Sequence, residues 1–146
     1  MTGLRDFISA LDERGKLKRI SKKVNWRYEL GEITRETQTP LLFENIEDYP
    51  NRRLFANGLS DYACIALAIG IQAENVRFGD LVEEAKRRFG NPIEPVKAND
   101  SSVIQNRITQ GIDLTVLPVP WWSEIDAGRY LGTWHLNISC DPETGS

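Results

Sequence analysis

The chain has 146 residues, of which 40% are hydrophobic and 27% charged, with a formal net charge of −3 and a pI near 5.3. Such a length fits one domain or one and part of a second, at roughly 100–200 residues each, and the composition can bury a core. The acidic balance excludes a general nucleic-acid surface, which needs a dominant basic face, and with no signal-like start and no apolar run near ~18 residues the expectation is a cytoplasmic protein with no membrane partner.

In chain order, Thr2 can cap a first helix whose Leu4, Phe7, Ile8 and Leu11 recur at helical spacing, with Gly15 just past its end. Leu17 to Ile20 reads as a short strand, and the basic residues around it (Lys16, Lys18, Arg19, Lys22, Lys23) as a solvated strand and turn. Asn25 to Tyr28 has no clear pattern. Glu29 to Thr37 is a second helix with Leu30 and Ile33 inward, and Pro40 stops it. Leu41 to Ile46 is a buried strand, Tyr49-Pro50-Asn51 a turn, and Arg53 to Ala56 the next strand.

Asp61 to Gly70 is a third, almost wholly apolar helix, read as buried, and Cys64 within it as a small core hydrophobe. Gly79 to Phe89 is a fourth helix with Leu81, Val82, Ala85 and Phe89 on one face. Ile93 to Ser102 is the best linker candidate, followed by a strand over Val103–Ile108. Asp113 to Leu117 fits either a helical turn or a strand. Arg129 to Cys140 is a last strand, with Thr133, His135, Asn137 and Ser139 on one face and Trp134, Leu136, Ile138 and Cys140 on the other. The wide separation of Cys64 and Cys140 fits no zinc spacing, and two thiols do not make a disulfide scaffold. The expected fold class is α+β: an N-terminal α/β domain over residues 1–95, then, over 96–146, a linker and the first strands of a β-rich domain too short to close a sheet alone.

His135, the only histidine, reads as an acid/base group or metal ligand, or as a hydrogen-bonded structural residue. Trp121-Trp122 reads as a pocket wall or as packing of the linker onto the first domain. Glu124 and Asp126 are paired acids on a loop that serve acid/base chemistry or cap and solvate it. The glycines of Gly128-Arg129-Tyr130-Leu131-Gly132 permit close backbone approach but lack the dinucleotide-binding spacing. The residues alone make no complete catalytic constellation.

Several segments together carry a family pattern: Leu4-Arg5-Asp6-Phe7-Ile8 through Leu11 to Leu17; Glu29-Leu30-Gly31-Glu32-Ile33-Thr34-Arg35; Leu41-Leu42-Phe43-Glu44-Asn45-Ile46 with Tyr49-Pro50; and Leu117-Pro118-Val119-Pro120, Asp126 to Tyr130, Thr133 and Asp141-Pro142-Glu143-Thr144-Gly145. In this order they resemble the UbiD family of decarboxylases. The resemblance implies prenylated FMN, a divalent metal (usually Mn2+) and often K+, and non-oxidative loss or gain of CO2 on a small aromatic or α,β-unsaturated acid, with the modified flavin as electron sink. It implies a split β-barrel flavin domain after the α/β domain, and a homo-oligomer. Thr133 matches the threonine of the family's R-Y-x-x-T strand near flavin and substrate, and Trp134 and His135 line the same region as substrate-pocket residues, although members commonly have glycine where His135 stands.

In the family, D-P-x-T-G is followed by N-x-G-x-Y-R, whose asparagine binds the metal and whose arginine sits at the reacting centre. No counterpart follows Ser146, so the resemblance assigns this chain no catalytic residue and no metal ligand. The expectation is an N-terminal part of such an enzyme, not catalytic alone, completed by a complementary chain or a missing C-terminal region. The alternatives are a non-catalytic regulatory or assembly subunit with the same N-terminal fold, or a small hydrolase or lyase using Glu124, Asp126 and His135.

Overall fold

The computed structural model describes residues 3–71, 75–96, 105, 107–132 and 140–144. Among the described residues the elements run, in order, α1 (Leu4–Glu13), β1 (Lys18–Ile20), α2 (Glu29–Glu36), β2 (Leu41–Phe43), β3 (Leu54–Ala56), α3 (Tyr62–Ala68), α4 (Phe78–Phe89) and a 3-10 turn at Leu114–Val116. They reproduce the four expected helices and the strands expected over Leu17–Ile20, Leu41–Ile46 and Arg53–Ala56, and the 3-10 turn decides Asp113–Leu117 in favour of a helical turn. The Thr2 cap and most of the segments expected as strands over Val103–Ile108 and Arg129–Cys140 lie outside the described residues; of those described, Gln105 is helical and Arg107, Ile108, Arg129 to Gly132 and Cys140 are not in a strand. Among those described, no helix is long and apolar enough to cross a membrane.

Local chemistry explains the boundaries. Gly15 takes φ +64°, and the Gly15 and Lys16 amides donate to Asp12 O and Leu11 O, both at 2.9 Å, the paired bonds of a Schellman stop. Gly70 (φ +84°) ends α3 in the same way, with Gly70 N–H to Leu67 O at 3.0 Å and Ile71 N–H to Ala66 O at 2.8 Å. Asp61 caps the start of α3 by accepting from the Cys64 amide at 2.6 Å. At α4, Asp80 reaches back to the Arg77 amide at 2.9 Å.

The sheet order is β1-β2-β3. β1 and β2 run parallel, Lys18 opposite Leu41, joined across α2 as a βαβ unit; β2 and β3 run antiparallel, Leu42 opposite Phe55. Alternation along the strands sends side chains to two layers. On one face Leu41, Phe43 and Ala56 pack with Val24, Leu30 and Ile46, with Trp26, Tyr49 and Trp122 against them. On the other, Phe55 meets Phe7 edge-to-face at 6.0 Å and packs on Leu11, Cys64 and Leu67 from α1 and α3. β2 is buried along its whole length, as a strand covered on both faces must be. α3 is only partly inside: Cys64, Ala66 and Leu67 are buried while Tyr62 is exposed, because a seven-residue helix on a small sheet turns just one side inward.

Candidate functional site

The first core layer is completed by residues far along the chain. Trp121 adds one strand-like step beside Arg27: its amide donates to Trp26 O at 3.1 Å, and its carbonyl accepts from the Tyr28 amide at 2.8 Å. Tyr28 has φ +68° and ψ −45°, and the Glu29 amide bonds Arg27 O at 2.9 Å, the i→i+2 closure of a γ-turn that L-residues seldom adopt. The Arg27 guanidinium lies over both the Tyr28 ring (5.3 Å) and the Trp121 ring (4.9 Å), which themselves meet edge-on at 5.5 Å. The next residue, Trp122, presses its backbone on α2. A methyl group placed on Gly31 would lie 2.1 Å from Trp122 O, so only glycine lets helix and loop approach this closely.

Arg129 forms the second attachment. Its Nε donates to Val119 O at 2.7 Å, and one terminal nitrogen donates to Tyr49 Oη at 2.6 Å and to Leu117 O at 3.1 Å. The guanidinium sits 4.5 Å from the Trp26 ring centre and 5.7 Å from that of Tyr49. Trp26 is itself fixed by its indole N–H to Asp48 Oδ2 at 3.1 Å and by edge contact with Tyr49 at 6.5 Å.

Between this docked loop and β3 runs an open groove of about 330 Å³, floored by Leu54 and Phe55 and walled by Pro118, Pro120, Trp122, Leu131 and Gly132. The wall is apolar and rigid: prolines fix φ and offer no N–H, and Trp122 is held on α2. Such a surface suits a flat, uncharged ring. It carries no cation for a phosphate, and among the described residues no three His, Cys, Asp or Glu side chains gather to hold a metal.

Thr133, Trp134 and His135, expected at the cofactor and substrate, lie outside the described residues, as do Asn137 and Ser139. Trp122 satisfies both readings of the aromatic pair, since it packs on the first core layer and also lines the groove, whereas Trp121 packs against Arg27 and Tyr28. Asp126 caps its own turn, Oδ2 accepting from the Ser123 amide at 3.1 Å, and Glu124 is exposed nearby, which favours the capping and solvated reading for this pair. Arg27, Trp26, Gly31 and Arg129 were not marked as site residues by the sequence. Gly31 did carry a signal, since a glycine inside a helical pattern costs about 1 kcal/mol relative to alanine and so points to a packing reason.

Comparison with known proteins matches this architecture. Residues 8–83, more than half of the chain, match the 3-octaprenyl-4-hydroxybenzoate carboxy-lyase N-terminal domain, the UbiD N-terminal family. A phenolic acid decarboxylase of Bacillus subtilis (strain 168) is 30% identical over 87% of this chain and 28% of its own length. A pyrrole-2-carboxylic acid decarboxylase of Pseudomonas aeruginosa is 30% identical over 95% of this chain and 31% of its own. Among solved structures, vanillic acid decarboxylase of Sedimentibacter hydroxybenzoicus in closed form superposes with a TM-score of 0.78 at 26% identity, over 88% of this chain and 29% of that one. The UbiD-class enzyme HmfF from Pelotomaculum thermopropionicum, in complex with FMN, superposes with a TM-score of 0.73 at 25% identity, over 97% and 31%. The chain thus spans about 30% of the length of these relatives. It belongs to the UbiD family, in its N-terminal domain.

Proposed function

We propose that this chain supplies the N-terminal α/β domain and one wall of the active site of a UbiD-type decarboxylase or carboxylase. The substrate class is a small aromatic or α,β-unsaturated carboxylic acid, and the cofactor is prenylated FMN, which supplies the electron sink for loss or gain of CO2. The observation that carries the reading is the family match together with the apolar groove beside β3, whose rim residue Gly132 immediately precedes Thr133. In this reading Thr133 contacts the cofactor, Trp134 and His135 line the substrate pocket, and the chain from residue 96 onward opens the split-barrel flavin domain.

The groove wall fits the ring face of such a cofactor: Pro118, Pro120 and Trp122 offer it an apolar surface. Its lining does not fit a phosphate or a divalent ion, and in this reading a complementary segment supplies the ligands for Mn2+ and K+ and the acid/base group. The limited coverage of longer relatives supports that division. Solved relatives support an assembled state: one is an evolved dimeric form of HmfF in complex with prFMN, another the ShVdcCD decarboxylase in open form with truncated ShVdcD. We read the assembled enzyme as a cytoplasmic homo-oligomer.

The test is to isolate the chain from its natural host and record an intact-mass spectrum and a visible absorption scan of the same sample. A copurifying or covalently continuous segment and a bound flavin are expected. A monodisperse chain with neither would overturn the proposal. Full activity of the partner after this chain is omitted would favour an assembly subunit instead.

A further inference from the structure

We propose that Arg129 is a positioning residue that fixes the direction in which the chain leaves the groove wall toward residue 133. The inference rests on the reading above, in which that wall belongs to the active site.

The bonding pattern of Arg129 is the reason. Among the described residues no carboxylate pairs with its guanidinium; its acceptors are Tyr49 Oη and the carbonyls of Leu117 and Val119, and its face lies on Trp26. Charge neutralisation is therefore not its task. A planar fork with donors at fixed angles is the side chain that can join three acceptors from two loops and still stack on a ring. One loop is the proline segment that walls the groove. The other is the turn bearing Tyr49, flanked by two left-handed residues, Asp48 (φ +64°) and Asn51 (φ +62°), and tied to Trp26 through Asp48.

The turn is anchored in the core, since Tyr49 packs on the layer containing Phe43 and Leu30. Arg129 thus relates the proline wall to the core at one point. Tyr130, Leu131 and Gly132 follow it directly along the groove. A rotation at Arg129 would redirect all three, and with them the backbone that continues to residue 133.

The experiment has two arms. In the first, hydrogen exchange is measured on the full chain carrying Arg129→Gln, Arg129→Lys or Tyr49→Phe. Arg129→Gln is expected to speed exchange across residues 117–132 by about tenfold, equivalent to about 1.4 kcal/mol of local stability, while the amides of β2 keep their protection. Arg129→Lys should behave like Arg129→Gln, because an ammonium keeps the charge and lacks the fork. Tyr49→Phe removes only the hydroxyl acceptor, and a smaller rise is expected there even if the arginine variants fold poorly. In the second arm, each variant is assembled with a polypeptide carrying the remaining length of a longer relative, and FMN affinity is titrated. Both arginine variants should weaken FMN binding by roughly tenfold with unchanged assembly. Wild-type exchange in Arg129→Gln, or rescue of both readouts by lysine, would overturn the proposal. Absence of FMN binding by the wild-type assembly would instead overturn the functional reading, while the exchange arm still decides the clamp.

Discussion

Replacing Gly31 with alanine sets a local helix preference against a tertiary contact. The new methyl would lie 2.1 Å from Trp122 O, 2.9 Å from its carbonyl carbon and 3.0 Å from its Cα, all backbone atoms. Restoring an ordinary carbon–oxygen separation of about 3.3 Å requires helix and loop to part by about 1.2 Å. The adjoining bonds, Tyr28 N–H to Trp121 O at 2.8 Å and Trp121 N–H to Trp26 O at 3.1 Å, would then stretch beyond hydrogen-bonding range. Two such bonds are worth about 1–3 kcal/mol together, and loosening the Arg27–Trp121 stack removes roughly 0.5–1 kcal/mol more. Alanine returns about 1 kcal/mol through helix propensity. The expected balance is a loss of about 0.5–3 kcal/mol, concentrated in the docked loop. Urea denaturation with exchange at the Tyr28 and Trp121 amides measures both parts. A loss near 2 kcal/mol corresponds to about 30-fold faster exchange there, with β2 unaffected. A more stable variant with unchanged exchange at both amides would refute the reasoning.

Other measurements probe the rest of the molecule. Glu84 is held down to about 2 by hydrogen bonds from Arg87 and then Arg88; Asp12 is lowered chiefly by its bond from Arg19, and Glu44 by Ser21 and then Arg19. Carboxylates titrate near ~4 in an unfolded chain, so the unfolded state takes up protons first on acidification; this contribution is complete above about pH 5 and is lost as pH falls toward the folded values. Urea midpoints should therefore fall from pH 5 to pH 2.5, and Arg19→Gln should flatten that dependence. Asn57, at φ +54°, donates from its side chain to the carbonyls of Thr34 and Thr37 at the end of α2. Asn57→Gly should cost about 1–2 kcal/mol for the lost bonds, and Asn57→Ala about 1 kcal/mol more for the left-handed backbone, read by thermal unfolding at equal concentration. Cys64 is buried, which pushes its thiol up, with Asp61 adding to the shift, whereas Cys140 is exposed. Maleimide should label Cys140 alone in the native chain and both thiols in urea, as mass spectrometry would show.

Much of the scaffold was legible from local pattern. Leu4, Phe7 and Leu11 mark α1 because the helical period stacks them on one face, and Gly15 marks its end because a left-handed position favours glycine. The Leu41-Leu42-Phe43 run marks a strand covered on both faces. The segments shared with the UbiD family were legible too, since they keep their order along the chain. Asn25 to Tyr28 was not, because a γ-turn at tyrosine has no sequence signature and persists here through Trp121, more than ninety residues away.

By itself, then, the sequence determined which segments are helix, strand and stop, since those depend on preferences acting within one turn or one strand. Only the tertiary structure decided that Arg27 stacks on Trp121, that Gly31 makes room for Trp122, and that Arg129 joins Tyr49 to the proline loop. Such contacts leave no periodic trace, because they arise where the βαβ unit offers an uncovered apolar face and a distant loop can bury it.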